Sequence, residues 1–219
     1  MGLYLTLGQI RSLMPTNRKQ FCCSSSEAGF SLVELMIVVA IFVVVAAIAV
    51  PSASALLNRV KLRGAAQQLA DLYQEARMKA VQDDTYYEVL VSADSTRAYV
   101  DVNGDGTEGG LTFAAPSAMT LNNNGVPAAL DAKTVGFANI TTVETSTMFD
   151  SDGTNRPGIA WSSRGLPCQR SSATSPCQTG IGWVQYMQHQ EGSGTAYAAV
   201  SVSPSGRVRV WIYEGGTWR

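Results

Sequence analysis

The chain has 219 residues, of which 46% are hydrophobic and 15% are charged, and its formal net charge at pH 7 is −1. This balance of 16 basic and 17 acidic residues argues against a general nucleic-acid-binding protein, because such proteins carry a large positive excess; binding to nucleic acid would need a local basic patch. One membrane helix would still leave enough chain for a globular domain with its own hydrophobic core.

A long apolar run begins at Phe30 and continues to Val50, and Glu34 is its one charged residue. A helix of this length measures about 31 Å, which matches the hydrocarbon core of a bilayer. A secretory signal peptide has a shorter apolar part, followed by a small-residue cleavage site, whereas here the small pair Ala28 and Gly29 precedes the run. The run therefore predicts a membrane-spanning helix.

Glu34 places a carboxylate inside this run, where insertion costs about 2.5–3.5 kcal/mol. Two interpretations are open: the charge is tolerated because it lies near the membrane interface, or it is there to meet a cationic partner. Cleavage between Gly29 and Phe30 would supply such a cation, since the new amine of Phe30 would lie one helical turn from Glu34.

The segment from Gly29 to Leu35 resembles the class III signal of type IV pilins and of type II secretion pseudopilins. The resemblance implies cleavage after Gly29 by a prepilin peptidase on the cytoplasmic side and methylation of the Phe30 amine. It also implies that Glu34 pairs with the N-terminus of a neighbouring subunit during assembly, and that the helix kinks at Pro51.

The same resemblance implies a single-pass protein of the bacterial inner membrane with a periplasmic globular domain, which later joins other pilins or pseudopilins in a filament. The sequence does not separate a pilus from a secretion pseudopilus. An exported protein with an ordinary signal anchor and no filament is a further hypothesis, and it would keep Met1 at its N-terminus.

An apolar stripe of helical period continues after Pro51 and ends near Asp83 and Asp84. We therefore expect one long helix whose second half packs against a globular domain. Eight residues form the stripe: Leu62, Ala65, Ala66, Leu69, Leu72, Tyr73, Ala76 and Ala80. The expected divisions are a cleaved leader (1–29), a membrane and assembly half of the helix (30–51), an amphipathic half (52–84) and a β-rich domain (85–219).

Beyond residue 85, short runs of β-branched and aromatic residues alternate with turn-forming residues, which predicts an antiparallel β-rich domain and an α+β fold. The turn Ser203-Pro204-Ser205-Gly206 predicts a hairpin between the last two strands. The expected strands are Tyr86–Val91, Arg97–Val102, Gly110–Phe113, Thr134–Ile140, Ser146–Phe149, Ile159–Trp161, Gly182–Met187, Ala196–Val202 and Arg207–Tyr213.

Two tracts of this domain, Tyr99 to Gly106 and Pro204 to Val210, resemble the H-type pseudopilins and related minor pilins (the GspH/FimT-like group). Some minor pilins of this class bind DNA during natural uptake through a Gly-Arg-x-Arg tail. Arg207 and Arg209 match that tail, and guanidinium groups suit phosphate contacts. The other interpretation is an ordinary solvated strand face, because the part of the chain after Gly29 has a net charge of −3.

Two cysteine pairs are present. Cys22 and Cys23 fall in the leader, while Cys168 and Cys177 fall in the exported part and predict a disulfide. Two free thiols are the alternative. A zinc site is disfavoured because the chain has one histidine, His189, which we expect in a loop.

The tract from Asp101 to Gly106 resembles the start of a calcium loop, with Asp101, Asn103 and Asp105 as candidate ligands. The twelfth position of such a loop requires Glu, but Thr112 stands there, and Asp and Asn also build ordinary turns. No other cofactor is expected. The sequence has no phosphate-binding Gly-Lys-Ser/Thr loop and no nucleophile elbow, so we expect a protein that is not an enzyme.

Overall fold

The computed structural model describes residues 30–102, 108–149, 154–170, 175–191 and 194–219. The chain divides into two compact units, Met1–Ala46 and Ala47–Arg219. The first helix, α1, runs from Leu32 to Gln82 and continues through Pro51, so Pro51 does not end it. A proline in a helix removes one backbone donor and its ring crowds the preceding turn, so a kink at Pro51 stays a prediction.

The described part of the first unit is the apolar start of α1. The helix segment Leu32–Ala49, which extends three residues past this unit, is long and apolar enough to cross a membrane, and its side chains are exposed. The large side chains of this segment are exposed, for example Ile48 at 73% and Phe42 at 70%. An apolar surface of this extent marks a contact with a membrane or with another protein.

The second unit buries one face of α1. All eight residues of the predicted stripe, from Leu62 to Ala80, are buried, so the periodicity identified the packed face. The helix ends at Gln82, and Asp84 follows with a φ angle of 49°. The left-handed backbone of Asp84 turns the chain from the helix into the first strand.

Twelve strands in the described ranges form two sheets against this face. The first sheet has the order β3-β2-β1-β7-β6, with β8 also paired to β7, and the second has the order β12-β11-β10-β9-β4, with β5 also paired to β9. The strands are β1 Tyr87–Val91, β2 Arg97–Val102, β3 Glu108–Ala114, β4 Met119–Thr120, β5 Ile140–Thr142, β6 Thr147–Phe149, β7 Asn155–Trp161, β8 Pro167–Cys168, β9 Gly182–Glu191, β10 Gly194–Val202, β11 Val208–Glu214 and β12 Thr217–Trp218.

The alternation of side chains on β1 shows how the first sheet divides the interior. Val89 and Val91 join the main core under α1, together with the buried Trp161 of β7. Leu90 points to the opposite face, where it packs with Tyr99 and other residues in a second, smaller cluster. The first sheet is therefore covered on both faces, and its strand β1 is buried along its whole length.

The predicted hairpin between the last two long strands is confirmed. β10 and β11 pair antiparallel with Val202 opposite Val208. The amide of Gly206 donates to the carbonyl oxygen of Ser203 at 2.8 Å, and Gly206 has a φ angle of 83°. Glycine adopts this left-handed conformation without the steric cost that a Cβ atom brings.

The predicted strand Thr134–Ile140 is wrong. Residues Ala132–Val135 form a short helix, α2, because the Asp131 side chain accepts from the amide of Thr134 and Gly136 closes the turn in the left-handed region. A strand begins only at Ile140, and β5 runs parallel to β9, so the sheets are not purely antiparallel. A 3-10 turn, Val143–Thr145, follows β5.

Candidate assembly site

The N-terminal candidate site comprises Phe30 and Glu34. Phe30 is 80% exposed, and Glu34 lies in the first turn of α1 with its side chain exposed. The amide of Leu35 donates to the carbonyl oxygen of Ser31 at 3.1 Å, so the helical turn is closed around Glu34. A carboxylate at a helix N-terminus also interacts favourably with the helix dipole, by about 0.3–1 kcal/mol. The candidate cleavage residue Gly29 lies outside the described residues.

Within the described ranges, no cation forms an ion pair with Glu34. Its neighbours on the helix surface are exposed apolar side chains, Phe30 one turn before it and Val38 one turn after it. Nothing in this part of the chain therefore neutralises the charge. The site is chemically suited to receive a cation.

A second predicted pair, Cys168 and Cys177, is joined in a disulfide with a Cα–Cα distance of 5.4 Å. Cys168 ends the short strand β8 and is completely buried. Next to the disulfide, Gln169 and Gln178 exchange two backbone hydrogen bonds of 3.1 and 3.0 Å. The disulfide and this bridge close the loop at its base.

This loop also supplies a buried ion pair that the sequence did not reveal. The Nη1 atom of Arg170 donates to the Oε1 atom of Glu88 on β1 at 2.9 Å, and both side chains are almost fully buried. The Arg170 guanidinium also lies 4.4 Å from the ring centroid of Tyr86. Desolvation offsets much of the attraction in a buried pair, so the net stabilisation that such a pair adds is small.

Of the three calcium candidates, only Asp101 lies in the described part of the structure. Asp101 is completely buried on β2, where it lies opposite Glu88 of β1. Asn103 and Asp105 lie outside the described residues. Within the described residues, no group of three or more His, Cys, Asp or Glu side chains could hold a metal ion. Calcium binding therefore stays a prediction.

The DNA-binding candidates are both exposed, but they differ in position. β11 begins at Val208, so Arg207 lies in the hairpin turn and not on the strand as expected. The Arg209 guanidinium lies 5.7 Å from the ring of Trp211, whose indole nitrogen donates to Ser201. Trp218 donates to the carbonyl oxygen of Ala128 and packs in a tyrosine cluster. These contacts hold both indoles against the protein.

The prediction that His189 lies in a loop is wrong. It lies near the end of β9, where it pairs with Ala196 of β10 on one side and Met119 of β4 on the other, and it is 2% exposed. The strand β9 extends to Glu191, four residues beyond the end that the sequence predicts. His189 is a buried strand residue and is not placed to bind a ligand from solvent.

Sequence reasoning also missed two grooves along the flanks of α1, one basic and one acidic. The basic groove has a volume of about 290 Å³ between α1 and β11, and the acidic groove has a volume of about 380 Å³ between α1 and β3. The charged helix residues of each groove lie four apart in the sequence, at positions 59 and 63 and at positions 71 and 75. This spacing could have indicated the grooves from the sequence, because residues four apart lie on one face of a helix.

Comparison with known proteins assigns the N-terminal segment. Residues 24–50 match the prokaryotic N-terminal methylation motif, which includes Phe30 and Glu34. No curated protein gives a significant match to the chain.

Two crystal structures are similar, both of the type IV minor pilin FimU from Pseudomonas aeruginosa, in different crystal forms. The first is 12% identical, with a TM-score of 0.39, over 74% of this chain and 94% of the other. The second is 11% identical, with a TM-score of 0.38, over 72% of this chain and 97% of the other.

Proposed function

We propose that this chain, a type IV pilin-like protein by its N-terminal methylation motif, is a minor pilin or pseudopilin with a structural role. In this proposal a prepilin peptidase removes residues 1–29 and the new amine of Phe30 is methylated. Residues 30–51 anchor the protein in the bacterial inner membrane, and the β-rich domain lies in the periplasm. The subunit then enters a type IV pilus or a type II secretion pseudopilus.

The observation that carries this proposal is Glu34. It is an exposed carboxylate in an apolar helix, and no described residue neutralises it. An uncompensated charge costs about 2.5–3.5 kcal/mol at the centre of such a segment, and less near its end, where Glu34 lies. A neighbouring subunit with a free N-terminal amine would offset that cost, because the attraction between opposite charges is stronger in a medium of low dielectric constant. In a simple membrane anchor only the helix dipole, worth about 0.3–1 kcal/mol, would offset that cost.

The test compares Glu34→Gln with Asp84→Asn in the full-length chain. Asp84→Asn removes one exposed carboxylate at the far end of α1, at a left-handed position that Asn tolerates, and serves as the matched control. We expect both variants to lose the leader, as mass spectrometry of the N-terminus would show. We expect the Asp84→Asn chain in sheared filaments and the Glu34→Gln chain only in membranes.

Filaments that contain the Glu34→Gln chain at the normal level would refute the pairing of Glu34 with an amine. The cleavage step has its own test. A Gly29→Ala variant should retain residues 1–29 and stay out of filaments. Detection of Met1 at the N-terminus of the unaltered chain would refute the proposal and favour an ordinary signal anchor.

A second candidate function, DNA binding by a subunit displayed at a filament tip, is favoured by one observation. Arg207 and Arg209 are exposed two residues apart on the final hairpin, and Arg209 stands beside the Trp211 ring. Two guanidinium groups would make phosphate contacts whose strength falls as salt rises. An aromatic ring next to them could add base stacking.

Gel shifts at low salt with the double variant Arg207→Gln and Arg209→Gln test this function. The matched control neutralises two other exposed cations, Lys133→Gln with Arg164→Gln. A DNA-binding subunit should lose its shift in the first double variant and keep it in the control. Equal shifts for both double variants, or no shift for the unaltered chain, would refute the DNA-binding role.

A further inference from the structure

The basic groove lies between α1 and the edge of the second sheet. Arg59 and Arg63 of α1 and Arg219 after β12 line it, against one acidic residue, Glu214 of β11. The three arginines are exposed, and none forms an ion pair with any residue in the described ranges. The apolar side chains of Val60 and Ile212 form part of the groove wall. The groove therefore presents a net positive charge on a partly apolar floor.

The acidic groove lies on the other flank of α1, beside β3, which is the edge strand of the first sheet. Asp71 and Glu75 of α1 line it together with Gln68 and residues 110–114 of β3. Within the described ranges, neither carboxylate has a cationic partner; Asp71 accepts only a long hydrogen bond of 3.4 Å from Gln67. This groove carries two negative charges and no positive one.

The two grooves are related by a regular displacement along α1. Asp71 follows Arg59 by 12 residues, and Glu75 follows Arg63 by the same 12 residues. At 1.5 Å per residue the displacement is about 18 Å, and at 3.6 residues per turn it rotates the pair by about 120° around the helix axis. Because the two pairs have the same spacing, a second helix that is moved along its axis and turned about it can place both acids opposite both arginines.

We infer that the basic groove of one copy of this chain receives Asp71 and Glu75 of a second copy. The inference deepens the proposed function and rests on it, since it names the contact that joins neighbouring subunits in the filament. Charge complementarity selects the occupant, because the chain itself carries the opposite pair at the same four-residue spacing. Two different surfaces meet, so the contact is head-to-tail.

A head-to-tail contact has a consequence for assembly. When the operation that relates two copies combines a rotation with a translation along the axis, repetition gives an open helical filament and not a closed ring. The displacement of about 18 Å supplies the translation. Because Arg59, Arg63 and Asp71 are exposed and Glu75 is half-buried, the contact should guide register and weaken as salt rises.

The first experiment is a cysteine crosslink between two differently tagged full-length copies, one with Arg59→Cys and the other with Asp71→Cys. We expect a disulfide-linked heterodimer when the copies are co-expressed and oxidised, and no dimer from either variant alone. The control combines Lys133→Cys with Arg164→Cys, two exposed positions outside both grooves, and should give no dimer. The unaltered chain sets the background from its own cysteines.

A homodimer of the Arg59→Cys chain would overturn the inference, because it requires a symmetric contact. A crosslink to another membrane protein in place of the second copy would also overturn it, and so would the absence of any dimer while the chain is present in filaments. A heterodimer in membranes of a chain that never enters filaments would support the contact and refute the proposed function.

Charge exchange provides an independent measurement. Arg63→Glu in the copy that carries Arg59→Cys should lower the heterodimer yield by about tenfold, which corresponds to about 1.4 kcal/mol. Glu75→Arg in the partner copy should restore it, because the ion pair is rebuilt with its signs reversed. Loss without restoration would overturn the pairing of these two positions.

Discussion

Arg77 of α1 donates a hydrogen bond from its Nε atom to the carbonyl oxygen of Gly165 at 2.9 Å. Its Nη1 atom donates to the carbonyl oxygen of Gly206, also at 2.9 Å. Gly165 lies in the turn between β7 and β8, and Gly206 lies in the turn between β10 and β11. One side chain therefore ties the helix to a turn of each sheet, so Arg77 couples three elements that are distant in sequence.

Replacement of Arg77 by Met should lower the free energy of unfolding by about 1–3 kcal/mol, because two carbonyl oxygens lose their donors. The variant also loses the guanidinium that lies 5.9 Å from the Trp161 ring. Tryptophan fluorescence during urea unfolding of the full chain in detergent measures the change. Arg164→Met, at an exposed turn position, is the matched control and should change stability by less than about 0.5 kcal/mol. Equal effects for both variants would contradict the coupling role of Arg77.

Gly206 should tolerate no side chain, for two separable reasons. Its φ angle of 83° is strained for residues with a Cβ atom, at about 1–2 kcal/mol. A Cβ atom would also lie 2.9 Å from the carbonyl oxygen of Gly165. Gly216 has a φ angle of 84° and open space around it, so Gly216→Ala measures the first cost alone. We expect Gly206→Ala to destabilise the chain more than Gly216→Ala in the same unfolding assay. Equal losses would show that the turn moves away from Gly165 freely.

The buried pair of Glu88 and Arg170 yields a double-mutant cycle. Arg170→Met alone leaves a buried carboxylate and should destabilise by about 3–5 kcal/mol. Glu88→Leu combined with Arg170→Met removes both charges and should cost markedly less than the sum of the two single changes. Denaturant unfolding of the four chains measures this coupling. Additive effects would show that the two side chains do not stabilise each other.

The parts of this fold that the sequence predicts are those fixed by local patterns. The stripe from Leu62 to Ala80 follows the 3.6-residue period, and β2 has the predicted bounds, Arg97–Val102. The wrong prediction of a strand at α2 also has its cause in neighbouring residues. Thr134 and Val135 favour a strand by their branched side chains, but the Asp131 cap and the left-handed Gly136 determine the outcome.

The remaining features depend on contacts between residues that are far apart in the chain. Arg77 and Gly165 are 88 positions apart, and Glu88 and Arg170 are 82 apart, so no local pattern connects them. Glu34 is different: its signal is a single charge in an apolar run, which is visible without the fold. The candidate assembly site was therefore visible in the sequence, whereas the contact between Arg170 and β1 was not.

Loss of the disulfide should destabilise the domain by about 2–4 kcal/mol, since the open loop gains conformational freedom when the chain unfolds. The test uses the double variant Cys168→Ala with Cys177→Ala. Alanine removes both sulfur atoms and puts no polar atom at the buried Cys168 position. If the disulfide also positions Arg170, the double variant should show a smaller effect of Arg170→Met than the unaltered chain does. Urea unfolding measures both effects when it is applied to four chains: the unaltered chain, the Arg170→Met variant, the double cysteine variant and the variant with all three changes. An unchanged effect of Arg170→Met would show that Arg170 docks without the disulfide.

Asp94 should contribute to the stability of the β1–β2 turn in a way that depends on pH. Hydrogen bonds from the Ser92 and Thr96 side chains, and from the Thr96 amide, lower the pKa of Asp94 to about 2. A pKa that is lower in the folded than in the unfolded state gives stability that is present above the unfolded pKa of about 3.9 and lost as pH falls toward the folded value. Asp94→Asn should therefore be less stable than the unaltered chain at pH 6, and the difference should shrink between about pH 4 and pH 2. Thermal unfolding of both chains across this range measures the difference, with Asp84→Asn as the control. A difference that does not change with pH would show that the Asp94 carboxylate is not held in its charged form by the turn.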